Sequence, residues 1–437
     1  MSELLVGFGC LRLPEFTLVE QRFPASPALD LRAAVRAQLA APAISGRLRA
    51  GAHAVVAVGS RGIRELPMLV AALVDELKER SLTVSIVPAM GSHGGATAAG
   101  QAEVLARLGV DALSVGAQVE SAMDTRVVAH LRYDQAGACY LPCAPGADAL
   151  PVHCDARALA ADLVIPVVRI KPHTGFRGRY ESGICKMLCI GLGKHQGCSL
   201  YHREGYPRFA ALIPAAAAAV LALGKVAFAL AVVEDAHERT AHLEAVAAEQ
   251  VLAREPELLE LARRLMPRLL LPRIDVLVVE EFGKDISGVG MDPNITGRGE
   301  AGRPEGFAGP EIARIVGLSL TAATHGNATG LGLADVISAR AYDAIDRQVT
   351  ATNVLTSGSL AGGRTPLALA SDEQAILAAA SCVPGVSLDE VGIVRIRSTL
   401  QLSRIAVSHS LLAEVARQPG CAVIGPFTGS WDGPDRR

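Results

Sequence analysis

Three glycine-rich turns in the first half of the chain carry side chains able to do chemistry. They are Gly59-Ser60-Arg61-Gly62, Gly91-Ser92-His93-Gly94-Gly95 and Lys171-Pro172-His173-Thr174-Gly175. Each follows a short β-branched run that reads as a strand. In an open parallel sheet, ligands bind beyond the carboxyl ends of the strands, where loops converge and helix N-termini present unpaired N–H groups. One arginine and two histidines are therefore expected at a single crevice. Imidazole accepts and donates protons near neutral pH, and a guanidinium offers two parallel donors to a carboxylate or phosphate. Each residue also has a plainer reading: a histidine that hydrogen-bonds its own loop, and a surface ion pair for Arg61. The glycines let backbone approach a ligand with no Cβ in the way.

A denser run follows His173. It reads Glu181-Ser182-Gly183-Ile184-Cys185-Lys186-Met187, then Ile190-Gly191-Leu192-Gly193-Lys194-His195, then Tyr201-His202. Gly191-Leu192-Gly193-Lys194 is only a fragment of a phosphate loop, lacking the full G-x-x-x-x-G-K-[ST] pattern. The pairs Cys139/Cys143 and Cys185/Cys189 have three residues between their members, and no second pair of zinc-like spacing accompanies either. They read as core cysteines. Thr324-His325-Gly326-Asn327-Ala328, close to Asp335, reads as a helix-capping loop.

The elements that must position these residues alternate between strand and helix, the pattern of a parallel sheet covered by crossover helices. Strands are predicted over 54–58, 83–88 and 163–169, and helices over 65–80 and 97–108. A β-rich excursion spans 115–151, with turns at Gly137 and Pro145-Gly146. An Ala-rich helix after Tyr206, a strand over 226–233 and a charged helix near 255–265 complete this half. A second unit begins with a strand over 274–280 and continues with a helix over 334–344 and strands over 391–396 and 405–408. The fold class is thus α/β with two domains: 1–270, a parallel-sheet cofactor-binding and catalytic domain, and 271–437, a smaller domain closing on substrate, with the active site in the cleft between them.

Composition bounds the function classes. A chain of 437 residues, half of them hydrophobic, is long enough for two cores. A net charge of −2, 4% aromatic residues and no basic stripe argue against a nucleic-acid partner. The longest apolar run, over 209–223, is Ala-rich, interrupted by Pro214 and shorter than the ~20 residues of a membrane span. No secretory signal is legible over 1–10, and nine cysteines, an odd number, suit reduced thiols. A cytoplasmic protein is expected, with a small-molecule partner and scope for a homo-oligomer.

The motifs resemble those of the nickel-dependent lactate racemase superfamily, and the resemblance extends over most of the chain. That family has an arginine after its first such strand, a histidine in a Gly-Ser/Thr-His turn, and a second histidine in a Pro-His turn. It then carries Ser-Gly-x-x-Lys and a further histidine. The matching positions are Arg61, His93, His173, Ser182-Gly183-Ile184-Cys185-Lys186 and His202, which lies sixteen residues beyond Lys186.

The resemblance implies a nickel-pincer nucleotide, a pyridinium mononucleotide holding nickel through two sulfurs and a ring carbon. It implies that Ser60, Arg61, Ser182, Gly183, Lys186 and His202 bind it, Lys186 as tether or phosphate partner and His202 as metal ligand. It further implies racemisation or epimerisation of a 2-hydroxy acid, with hydride transfer to the cofactor and His93 and His173 as acid/bases on either side of the substrate. Three features depart from the family. The loop Thr174–Tyr180 is longer, Ile184 replaces a glycine of the tether motif, and the loop over 283–294 has no Tyr-Gln-x-x-Lys. Arg61, Lys284 and Asp285 are the candidate substrate-facing groups, the last two standing equally as a solvated turn. Competing readings are a pincer homologue with another redox activity, and a nucleotide- or metabolite-binding protein without turnover whose turns serve as anion nests.

Overall fold

In the computed structural model, residues 12–60, 62–299, 307, 309–358, 360–429 and 431 are described. The chain divides into two compact units, Pro24–Met266 and a unit that joins the described residues up to Phe23 to those from Pro267 onward. It is an α/β protein with two mixed, largely parallel sheets of six and eight strands.

The six-stranded sheet belongs to Pro24–Met266. Its order is Thr240–Ala247, Phe228–Glu234, Leu163–Arg169, His53–Val58, Thr83–Pro88, Gln118–Val119, with the first pair antiparallel and the rest parallel. The strands are short runs of Val, Ile and Ala because both faces are covered. Alternate residues point to opposite sides: Ala54, Val56 and Val58 enter one core with Leu69, Leu73 and Leu77, whereas Val55 and Ala57 enter another with Ile184, Leu188 and Phe209. Helix Leu66–Glu79 begins with Pro67 in its first turn and buries Leu66, Leu69, Val70, Leu73, Val74 and Leu77, the i, i+3, i+4 stripe of a core-facing helix. The excursion is a separate antiparallel sheet of Cys139–Pro142, Thr125–Asp134 and Leu150–Asp155, packed into the second core through Leu131, Tyr140 and Val152.

In the other unit, Leu367–Leu369, Val336–Ser338, Glu311–Leu320, Arg273–Phe282 and Ile393–Ile396 run parallel. Arg404–Ser408, Phe16–Gln21 and Cys421–Pro426 extend the sheet in antiparallel fashion.

Three expectations change. The division at 270/271 leaves out the strand Phe16–Gln21, which pairs on both edges with strands near the C-terminus. Its Gln21 side chain donates to Leu402 O at 2.7 Å and accepts from Leu270 N at 2.8 Å, so these residues belong with the later unit. The helix expected over 334–344 is a strand, Val336–Ser338, followed by a short helix, Ala339–Asp343. Buried Val336 and Ile337 pair with neighbours on both sides, and completing the sheet overrides helical spacing. The strand Thr240–Ala247, where no element was expected, covers an edge by pairing back on Phe228–Glu234.

Candidate functional site

The registers Val58↔Pro88 and Val58↔Val167 bring the carboxyl ends of three neighbouring strands level, so all three turns leave one edge of the six-stranded sheet. Each touches the segment from Ser182 to His202. The first does so at Gly59, where an added Cβ would meet Met187 Cε at 3.1 Å. The second does so where Gly91 N donates to Gly191 O at 3.2 Å and Ser92 Oγ lies 3.6 Å from Cys198 Sγ. The third does so through paired backbone bonds between Lys171 and Ser182.

That segment is irregular between its candidate residues. A short helix, Ile184–Lys186, passes into a π-helical turn, Met187–Gly191, and then into helix Lys194–Glu204, which bears His202. Such π turns are frequent at functional sites. Gly183 is needed by close approach: an added Cβ would lie 2.3 Å from Oε1 of buried Glu255. Glu255 Oε2 accepts from Cys185 N at 2.8 Å, while Oε1 is buried without a hydrogen-bond partner. Burial raises this carboxyl to about 7.

His202 is half-buried. Burial, and then the positive charge of Lys186, lower its imidazole to about 4. At neutral pH it is the uncharged form, the one that ligates a metal. Its ring lies against Tyr206 at 5.9 Å and Phe209 at 5.3 Å. Tyr206 also lies 5.8 Å from the His173 ring, which packs on Phe176 at 4.5 Å. The two histidines thus share one aromatic wall.

His173 is buried and its turn is held by Glu181, which is fully buried. Glu181 accepts from His173 N at 2.6 Å and Gly178 N at 3.1 Å, and pairs with Arg177 and Arg263. His173 Nδ1 accepts from Gly175 N at 2.9 Å, which puts the proton of the neutral ring on Nε2. To take a proton at Nε2, the ring must release Gly175 and carry its own proton on Nδ1. His93, in contrast, is exposed on its turn.

Arg61 lies outside the described residues. Its flanks are tied down: Arg169 donates to Gly62 O at 3.2 Å, and Arg64 N donates to Glu234 Oε1 at 2.7 Å. Ser60 is half-buried after the first strand. Lys194 has no phosphate-loop geometry. Its side chain is fully buried, lies 2.9 Å from Asp155 Oδ2 and donates to Pro88 O. Lys284 and Asp285 belong to the other compact unit. There Lys284 Nζ donates to Gly288 O at 3.0 Å and Asn353 Oδ1 at 2.7 Å, and Asp285 accepts from Thr321 Oγ1. Sequence reasoning passed over Tyr206, Glu181, Glu255 and Gln101. Their partners come from turns and neighbouring elements that residue types alone do not bring into contact.

No protein-family model matches the chain, and no curated protein sequence does. Among solved structures, the fold is similar to the lactate racemase apoprotein from Thermoanaerobacterium thermosaccharolyticum, with a TM-score of 0.51 and 15% identity, covering 88% of this chain and 99% of that one. At that identity the likeness is one of fold.

Proposed function

We propose that this chain is an isomerase that inverts the carbinol carbon of a 2-hydroxy acid, with His93 and His173 moving the hydroxyl proton and Lys186 and His202 holding a nickel-pincer nucleotide. The observation that carries the reading is the convergence of the three turns on the Ser182–His202 segment, with uncharged His202 beside Lys186.

The donor set fits such a group. Among the described residues no cluster of three or more His, Cys, Asp or Glu side chains is placed to hold a metal. A nickel ion at His202 would take one imidazole from the protein and its other donors from the cofactor, and imidazole suits nickel. Lys186 would tether the nucleotide or neutralise its phosphate, with Ser60, Arg61, Ser182 and Gly183 completing the binding surface. Bound there, the pincer would supply a hydride acceptor for the carbinol carbon.

The protein's own work is proton transfer and orientation. A base must take the hydroxyl proton on one side and an acid return it on the other, and general acid–base groups contribute about 10²–10⁴-fold. His173 starts with Nδ1 accepting from Gly175 N, so a base role at Nε2 requires the tautomer exchange described above. Arg61, Lys284 and Asp285 are the proposed carboxylate- and hydroxyl-facing groups.

The test is production in cells that synthesise the pincer, followed by metal analysis, an absorbance spectrum and a stereoisomer assay on 2-hydroxy acids. Nickel and a cofactor absorbance lost in His202→Ala, with interconversion in the parent, are expected. A parent that never takes up nickel would point to a non-catalytic binder, and a loaded parent that converts substrate without inversion would point to another redox step.

A further inference from the structure

His93 sits exposed on a turn in which Gly91, Gly94 and Gly95 all adopt left-handed backbone (φ 60°, 64° and 64°). Such a turn has little intrinsic preference for one shape, so the hydrogen bonds to its backbone carbonyls help to define it.

Gln101, on helix Ala98–Arg107, is fully buried against this turn. Its Nε2 donates to Gly91 O at 2.8 Å and to His93 O at 3.3 Å, and its Oε1 accepts from Lys194 Nζ at 3.3 Å. A primary amide has two N–H donors and one carbonyl acceptor, and here each has a protein partner. Lys194 is held in turn by Asp155 Oδ2 at 2.9 Å and by Pro88 O, the last residue of the strand before the turn. Lys194 has φ 52°, unusual for a residue other than glycine, and its side chain is directed inward to this network. It also opens the helix that bears His202.

We propose that Gln101 is a positioning residue that captures the carbonyls of the His93 turn and, through Lys194, fixes that turn against the Lys186–His202 segment. The inference rests on His93 being a proton-transfer group. Gln101 touches neither substrate nor cofactor in this assignment and acts only through the backbone of His93.

The test compares Gln101→Glu, which keeps an acceptor for Lys194 but loses both donors, with the neutral Gln101→Met, which loses all three bonds. In the cofactor-free chain, amide exchange over residues 91–97 is expected to accelerate at least about tenfold in both variants, while helices Leu66–Glu79 and Val251–Leu265 exchange as in the parent. In loaded protein, kcat should fall by about 10–100-fold with KM within twofold, as small misplacement of a reacting group can cost ~10²-fold. Unchanged exchange over 91–97 would overturn the proposal. So would accelerated exchange with an unaltered kcat, which would make Gln101 merely structural. A parent without isomerase activity would sink the functional reading alone, since faster exchange would still uphold the clamp.

Discussion

The turns that carry His93 and His173 leave strands on either side of His53–Val58, yet they are held by different chemistry. The His173 turn is organised around an acidic side chain: buried Glu181 collects two backbone N–H groups and two arginines, and aromatic rings pack the imidazole. The His93 turn is organised around a neutral amide that collects carbonyls, and its histidine faces solvent. One turn gains precision from burial and charge, the other from hydrogen bonds to a flexible backbone. If the two histidines serve opposite faces of one substrate, one stands among aromatic rings and the other at the exposed end of a clamped turn.

The largest effect should fall on both turns alike. With cofactor loaded, His93→Ala and His173→Ala should each lower interconversion of the stereoisomers by about 10²–10⁴-fold while cofactor absorbance is retained. Equal rates in either variant and the parent, in a chiral assay, would break the symmetry of roles. Stability should then separate the turns. Glu181→Ala leaves Arg177 and Arg263 without their buried carboxylate and should cost about 3–5 kcal/mol, read from denaturant unfolding. His93→Ala, at an exposed position, should cost less than Glu181→Ala.

A second buried carboxyl group sharpens the contrast between anchors with and without a cationic partner. Glu255 is as buried as Glu181 but has no cationic partner among the described residues, and burial raises it from 4.5 to about 7. The folded chain therefore binds a proton that the unfolded chain has released between those values, so stability falls as pH rises through about 4.5 to 7. A tenfold change in proton affinity is worth about 1.4 kcal/mol, which makes the loss about 3 kcal/mol at most. Glu255→Gln should flatten the pH dependence of the unfolding free energy in that window. An identical slope in parent and variant would show that Glu255 is ionised throughout.

Much of the Pro24–Met266 unit was legible because its strands are short β-branched runs that end in polar turns. Thr83–Pro88 and Leu163–Arg169 have the predicted bounds. The pairing of Phe16–Gln21 with Arg404–Ser408 was not legible, since it joins residues nearly a chain length apart. At the candidate site, residue types and intervals pointed to His93, His173, Lys186 and His202. What holds them was hidden: Gln101 reads as an ordinary helix residue, and only the fold sets its amide beneath Gly91 and His93. Lys194 drew attention for its glycine neighbours, and its buried pairing with Asp155 required a contact across the small antiparallel sheet.

Tyr206 lies against the rings of both His173 and His202. Neither histidine is then an independent unit, because truncating one loosens the surface on which the other rests. Free-energy changes at contacting or shared-partner sites commonly fail to add by about 0.5–3 kcal/mol. A double-mutant cycle over His173 and His202 should therefore not close, and repeating it in a Tyr206→Ala background should bring it toward closure. Through one phenol ring, a change at His173 is registered as a change at His202.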